Sequence, residues 1–440
     1  MKTYFHELAT SIDQLVAKDE VITSHYEGEE SDFCRLNGAR IRQAGHVSQH
    51  TLNLRLVRGA RQSMTSLTVG GHLGDDRARC ERALKAMRET LPLVPEDPYL
   101  LYSTEVNSSE HNPASLLPRH EDVVAEVIAD AAGKDLVGIY AGGGIYRGFA
   151  NTLGQRNWHA SHTFNLDFSV YLRQDKAVKS GYAGFKWERG AWRTKLAAAK
   201  DYLEILARPP KTISPGRYRV FLAPQALNEI MELMSWGGFG VKAQRTKQSP
   251  LLRMCEGTQS LSSQVTIAED IAGGLSPDFD DAGFIRPART ALIAEGKLVG
   301  ALASARSGRE FAVPGNGANG RESPESLAMM PGRLSHADAL AQLGTGILVN
   351  NLWYLNFSDR NACRMTGLTR FATFWVENGK IVAPLNVMRF DESLYRMLGP
   401  QLEGLTKEVA LVPSSQTYER RSTVSSRVPG ALVNDFQFTL

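Results

Sequence analysis

A helical carboxylate, three histidines close to acids and two glycine clusters are the residues of this 440-residue chain whose types and spacing suit chemistry. Glu229 sits in Leu227-Asn228-Glu229-Ile230-Met231-Glu232-Leu233, just after the strand-like run 218–222. Leu227, Ile230, Met231 and Met234 fall at i, i+3, i+4 and i+7, the buried stripe of an amphipathic helix, and Glu229 points away from it. Alone, such an acid reads as exposed or cleft-facing. To drive hydrolysis it needs a metal-bound water to activate. His159-Ala160-Ser161-His162, with Asp167 nearby, is the best alternative set of metal donors. It lies in a strand-like run, where i and i+3 face opposite sides of a sheet, so a core or surface pair is expected. His120-Glu121 follows Pro118 and reads as a first helical turn, where an acid suits the helix dipole. The next positions at helical spacing, Val124 and Ala125, supply no second histidine. Gly142-Gly143-Gly144 lacks the following helix and the Lys-Ser/Thr of a phosphate loop, so a bulge or turn is expected. Gly315-Asn316-Gly317-Ala318-Asn319-Gly320 reads as a mobile loop. No G-x-S-x-G elbow and no cysteine nucleophile signature is present.

These side chains must be carried by an α+β framework. Phe5, Leu8, Ile12, Leu15 and Val16 predict an opening helix. Short strands follow at 21–26, 32–36, 40–44 and 51–57, with Asn37-Gly38 as a hairpin signal, then a helix over 75–90. Five prolines in 92–118 mark a linker. A helix (121–132), strands (137–146, 160–172, 177–186) and another helix (194–207) come next. Pro209-Pro210 and Pro215-Gly216 mark a second boundary. The pattern predicts an N-terminal α+β subdomain (1–92), a linker (93–118), a middle α+β subdomain (119–210) and a strand-rich, barrel-like domain (215–440) with one embedded helix at 224–234. Strands cluster before helices, so this is α+β rather than alternating βαβ.

Composition narrows the class. Hydrophobic residues make up 42% and charged residues 22%, as in ordinary globular proteins. A net charge of +3 is too small to argue for nucleic acid or an anionic membrane. No apolar run approaches the roughly 20 residues of a membrane span, and no signal peptide is expected. Cys34, Cys80, Cys255 and Cys363 lie far apart with no C-x-x-C spacing, as expected for reduced thiols in a cytoplasmic protein.

Several segments together resemble one family. Val265-Thr266-Ile267-Ala268-Glu269-Asp270, Phe279-Asp280-Asp281-Ala282-Gly283 and Thr290-Ala291-Leu292-Ile293-Ala294-Glu295-Gly296-Lys297-Leu298-Val299-Gly300 are similar to the C-terminal region of the TldD/PmbA family. Thr366-Gly367-Leu368-Thr369-Arg370-Phe371 and Val376-Glu377-Asn378-Gly379-Lys380-Ile381 resemble its TG-x-F and I-E-N-G-K-I segments. Phe33-Cys34-Arg35-Leu36-Asn37-Gly38 and Asn151-Thr152-Leu153-Gly154 resemble two of its turns. Each motif is mostly hairpin chemistry; their order along the chain carries the resemblance. Trp236-Gly237-Gly238-Phe239-Gly240 and the tail after Val412 depart from it.

The resemblance implies a metallopeptidase-related protein involved in degrading or maturing peptides. One kind of subunit in the family carries H-E-x-x-x-H and a cysteine near the C-terminus as zinc ligands. The other, of PmbA/TldE type, lacks them and partners the first. Here Asn228 and Leu233 stand at the two histidine positions, and no cysteine follows Cys363. Glu229 matches the family's glutamate and is expected to be vestigial. The implied arrangement is a subunit with no cofactor of its own, paired with a zinc-bearing TldD-like peptidase and handling unfolded peptide, with a homodimer as another possibility. No nucleic acid or membrane partner is expected. The alternatives are an active peptidase with relocated ligands at His159, His162 or His120, or a stand-alone homodimeric peptide-binding protein.

Overall fold

The computed structural model describes residues 1–173 and 176–439; Leu440, which closes the expected C-terminal domain, lies outside them. The N-terminal half runs α1 (Lys2–Asp13), β1 (Val21–Asn37), β2 (Arg40–Arg58), β3 (Arg61–Thr68), α2 (Leu73–Thr90), β4 (Ser109–His111), α3 (His120–Asp130), β5 (Asp135–Asn151), β6 (Arg156–Arg173), β7 (Lys176–Gly184) and α4 (Arg189–Leu206). Its strands form one sheet in the order β3-β2-β1-β5-β6-β4, with β7 also on β6. Residues 1–92 and 119–210 therefore meet in a shared sheet through β1 and β5. The proline-rich stretch between them contributes β4.

The short strands expected at 21–26 and 32–36 are one 17-residue strand. The intervening Glu27, Gly28, Glu29 and Glu30 hide it in sequence, yet each is paired on both sides by β2 and β5. The hairpin closes through Gly38 (φ 57°) and Ala39 (φ 53°), the double left-handed geometry of a type I′ turn. Alternation then sorts side chains between two faces. Ile22, Tyr26, Leu52, Leu54 and Leu56 pack on α1 and α2. Cys34, Leu36, Phe164, Leu166 and Phe168 pack on α3 and α4 around Trp192. The other face carries Glu29, Ser31 and Thr163, which meet the C-terminal half through Arg421.

The triple glycine is not a bulge or turn. It is the middle of β5, in uninterrupted register with β1 and β6. Close packing demands glycine there. A Cβ would lie 2.5 Å from the Tyr140 hydroxyl at Gly142 and 2.3 Å from the Tyr146 hydroxyl at Gly144. At Gly143, whose φ is +148°, it would lie 2.0 Å from the Glu30 backbone oxygen.

The C-terminal half begins with β8 (Gly216–Leu222) and α5 (Pro224–Ser235). Its remaining strands are β9 (Ile267–Glu269), β10 (Thr290–Ala294), β11 (Lys297–Leu298), β12 (Ser326–Met329), β13 (Gly346–Val349), β14 (Leu352–Asp359), β15 (Arg364–Thr369), β16 (Thr373–Glu377), β17 (Lys380–Pro384), β18 (Arg389–Ser393), β19 (Leu402–Pro413) and β20 (Ser425–Phe438). The main path is β11-β10-β9-β12-β20-β8-β13-β16-β17, mixed parallel and antiparallel. The α+β class holds, but the sheet is open. Its path ends on separate edges, β11 and β17, and does not close into the expected barrel. Besides α5, short helices occur at Val241–Arg245, Leu252–Cys255, Ala305–Glu310, Ala339–Leu343 and Leu394–Met397. Each spans at most two turns, too short for a periodic signal. No helix among the described residues is long and apolar enough to cross a membrane.

A buried polar cluster ties the loops of this half together. Arg286 donates through Nε to the Gly317 carbonyl (2.9 Å) and pairs with Glu325 (2.5 Å). Asn316 and Asn319 pin the glycine-containing loop, donating to Ala301 O and Glu325 Oε1, each at 2.8 Å. Glu269 Oε1 accepts the N–H groups of Glu325 (2.9 Å) and Ser326 (3.1 Å); Oε2 has no partner among the described residues. Burial pushes the Glu269 carboxyl up to about 7 against those donors, and burial with Asp281 does the same to Asp280. A folded state that keeps these protons to about pH 7 binds more of them than the unfolded chain, which releases them near its ordinary carboxyl values. The contribution of these two carboxyls to stability should therefore fall as pH rises from about 4.5 to 7. Glu269→Gln should remove its share of that slope and leave that of Asp280. Thermal melts across the window check this, and an unchanged slope in the variant would refute it.

Candidate functional site

Helix α5 starts with Pro224 at its first turn, where the missing N–H and fixed φ fit a helix start. Ala226, Leu227, Ile230, Met231 and Met234 bury its apolar stripe in the larger core, and Glu229 is exposed, as the sequence pattern requires. The two positions of special interest are occupied differently. Asn228 is 4% exposed; its Nδ2 donates to Glu232 Oε1 at 2.7 Å, and its Oδ1 has no partner among the described residues. Leu233 joins the hydrophobic core. Glu229 stands within electrostatic reach of Lys179 and Asp167 on the facing sheet. Desolvation by the surrounding protein, then the charge of Glu232, pushes its carboxyl up to about 7, opposed by Lys179. Solvent at this exposed side chain tempers that push.

Zinc does not fit this helix. An amide engaged by Glu232 and an apolar side chain replace two nitrogen donors. In a regular helix i and i+5 also lie about 140° apart, so even histidines there need a distorted or ending helix to share a metal.

A groove of about 620 Å³ opens beside α5, between the N-terminal sheet and the C-terminal half. The sheet contributes Arg35, Arg42, Ile139, Asp167 and Lys179; the β14 and β15–β16 segments contribute Trp353, Arg370 and Phe371. Lys179 Nζ pairs with Asp167 Oδ2 at 3.3 Å, and the Lys179 carbonyl accepts from Asn351 Nδ2 at 3.4 Å. The Arg370 guanidinium lies 4.5 Å from the Trp353 ring centre and 4.9 Å from that of Phe371. Cation–π contacts of this kind hold a charged head in place while leaving its edges open.

The histidine candidates do not converge on this groove. His159 is buried, bonded through Nε2 to the Leu275 carbonyl (2.9 Å) and stacked on His111 (5.0 Å between ring centres). Burial, with His111, lowers its pKa to about 4. His162 points to the opposite face, edge-on to Tyr146 at 5.9 Å, as strand alternation predicts. His120 pairs through Nδ1 with Asp32 Oδ2 at 3.1 Å and holds the start of α3 against β1. Of that expected set, Asp167 alone reaches the groove. Among the described residues no group of three or more His, Cys, Asp or Glu is placed to hold a metal ion. Cys363 is buried in the core, its thiol pushed up to about 12 by burial. Sequence reasoning missed Arg35, Arg42, Lys179, Trp353 and Arg370 as one site. They come from separate elements, and no local motif joins them.

A family model described as the PmbA/TldA metallopeptidase C-terminal domain matches residues 215–440. No curated protein matches the sequence significantly. Among solved structures, TldE from Thermococcus kodakarensis superposes with a TM-score of 0.79 at 14% identity, over 99% of this chain and 100% of that one. A protein from Thermotoga maritima described as a candidate modulator of a DNA gyrase gives 0.77 at 16% identity, over 99% and 100% of the two chains. Another so described, from Bacteroides thetaiotaomicron, gives 0.73 at 15% identity, over 100% and 98%. These likenesses establish the fold, and the matched C-terminal half establishes the lineage: the chain belongs to the metallopeptidase-related TldD/PmbA family.

Proposed function

We propose that this chain is a zinc-free, peptide-binding member of the family that works in the cytoplasm with a zinc-bearing H-E-x-x-x-H subunit to degrade or mature peptides. The observation that carries the reading is α5: a family framework in which Asn228 is tied to Glu232 and Leu233 is part of the core, leaving Glu229 without a histidine pair to hold zinc beside it. A sheet edge supports peptide binding. Strand β3 pairs with β2 only from residue 51 onward, so the outer edge over 40–50 has no strand partner among the described residues. Such an edge takes an extended peptide through main-chain hydrogen bonds, with little demand on its sequence. The edge leads to Arg42 and the groove.

The test is to purify the chain alone and with a zinc-bearing family member from the same genome. The expected result is no stoichiometric zinc and no peptide cleavage by the chain alone, with cleavage in the pair lost on chelation. Stoichiometric zinc together with cleavage by the isolated chain would overturn the proposal.

A further inference from the structure

We infer that the groove beside α5 selects acidic, extended peptide segments; this rests on the peptide-binding reading above. Three of its arginines, Arg35, Arg42 and Arg370, have no carboxylate partner among the described residues, although all three are exposed and line one groove. Their placement is built by the fold. Between Arg35 and Leu36 the β1–β2 register shifts: Arg35 faces Gln43, Leu36 faces Ile41, and Arg42 is left as the extra residue of a bulge. A bulge re-aims a side chain that strand alternation would otherwise fix, and here Arg42 joins Arg35 on the groove wall. Arg370 approaches from the opposite wall, held over Trp353 and Phe371. Lys179 adds a fourth cation, already engaged by Asp167.

Guanidinium groups recognise carboxylates through paired N–H donors in a fixed fork. Extended chain places alternate side chains on one face. The fitting ligand is therefore a strand-like segment with Asp or Glu two residues apart, its acids toward Arg35, Arg42 and Arg370 and its flanking apolar side chains toward Trp353 and Phe371. The same three arginines repel a basic segment, and Asp167, the acid on this wall, is already engaged by Lys179.

Fluorescence anisotropy with the full chain tests this, using three labelled unstructured peptides of equal length: Glu/Ser-rich, Ser/Gly-rich and Lys/Ser-rich. The acidic peptide should bind about tenfold or more tighter than the basic one at low salt, the gap narrowing as salt rises. Arg35→Glu and Arg370→Glu should each erase or reverse the preference. Arg77→Glu, an exposed change on α2, should leave it intact. Circular dichroism confirms that the variants fold, and the milder Arg42→Gln should weaken the preference without adding a charge. Equal affinity for the three peptides would overturn the acidic selectivity while leaving the peptide-binding reading standing. Binding of none of them would overturn both. Oligodeoxythymidine that binds as tightly as the acidic peptide and displaces it would show a general polyanion groove and overturn the assignment to peptide.

Discussion

Gly143→Ala should lower stability by about 3 kcal/mol or more, a large share of the 5–15 kcal/mol that holds a typical domain. Two costs combine. The φ of +148° is open essentially to glycine alone, which places an alanine there in a region costing on the order of 1–3 kcal/mol. The added Cβ would also sit 2.0 Å from the Glu30 backbone oxygen. That atom belongs to β1 and cannot rotate away as a side chain can. Relief requires β1 and β5 to part where they are paired, Ser31 opposite Gly143. Gly154→Ala is the control, since its φ is +104° but its Cβ would meet nothing within 4 Å. The difference between the two urea midpoints isolates the backbone collision from the dihedral strain. A loss at Gly143 no larger than at Gly154 would show that the strands accommodate the methyl group, and the packing argument would fail.

Arg421→Ala should cost about 3–5 kcal/mol, the usual effect of removing one side of a buried charged network. The guanidinium donates to Thr163 O (2.9 Å), Thr163 Oγ1 (2.8 Å) and Ser31 Oγ (3.2 Å), and the backbone N–H of Arg421 donates to Glu29 Oε2 (3.1 Å). Glu29 is only 2% exposed and loses its nearby positive charge in the variant. Arg421→Met combined with Glu29→Gln removes both charges and keeps the volume, so it should recover much of the loss. Denaturation of the two single variants and the double variant supplies the coupling energy. Strict additivity would mean that the two side chains do not act as a unit. The contact also joins the C-terminal half to the face of the sheet that walls the groove, so the alanine variant should bind peptide more weakly even where it remains folded.

The framework was legible where local chemistry and tertiary demand agree. Helix α5 was found within one residue of its C-terminal end because four apolar residues repeat at helical spacing and a proline marks its start. The β1–β2 turn was found because a glycine follows Asn37, although Ala39 also takes a left-handed φ that no propensity favours. The long strands were read as fragments because their middles carry Glu27, Gly28, Glu29 and Glu30, residues chosen for partners far along the chain. Glu30 answers His50 and Ser48. Glu29 answers Gln49 and Arg421. Gly142, Gly143 and Gly144 misled for the same reason: their smallness serves Tyr140, Tyr146 and the Glu30 backbone rather than a turn. The site divides likewise. Asn228 and Leu233 could be judged from a single heptapeptide, because the helix fixes their environment. The groove could not, because a bulge, a sheet face and two loops from the other half must first come together.

The position of β20 has a consequence for the protein's synthesis. This final described strand, Ser425–Phe438, lies between β12 and β8 inside the larger sheet, and Arg421 just before it seals the two halves. Strand β8, from which α5 springs, thus waits for a neighbour made some two hundred residues later. A ribosome partway through the message carries a chain with β8 open on that side, and pairings so distant in sequence form slowly. The groove's second wall, Trp353, Arg370 and Phe371, is likewise made late in synthesis. Chains that stop before β20 should be met by chaperones and proteases as unfolded protein.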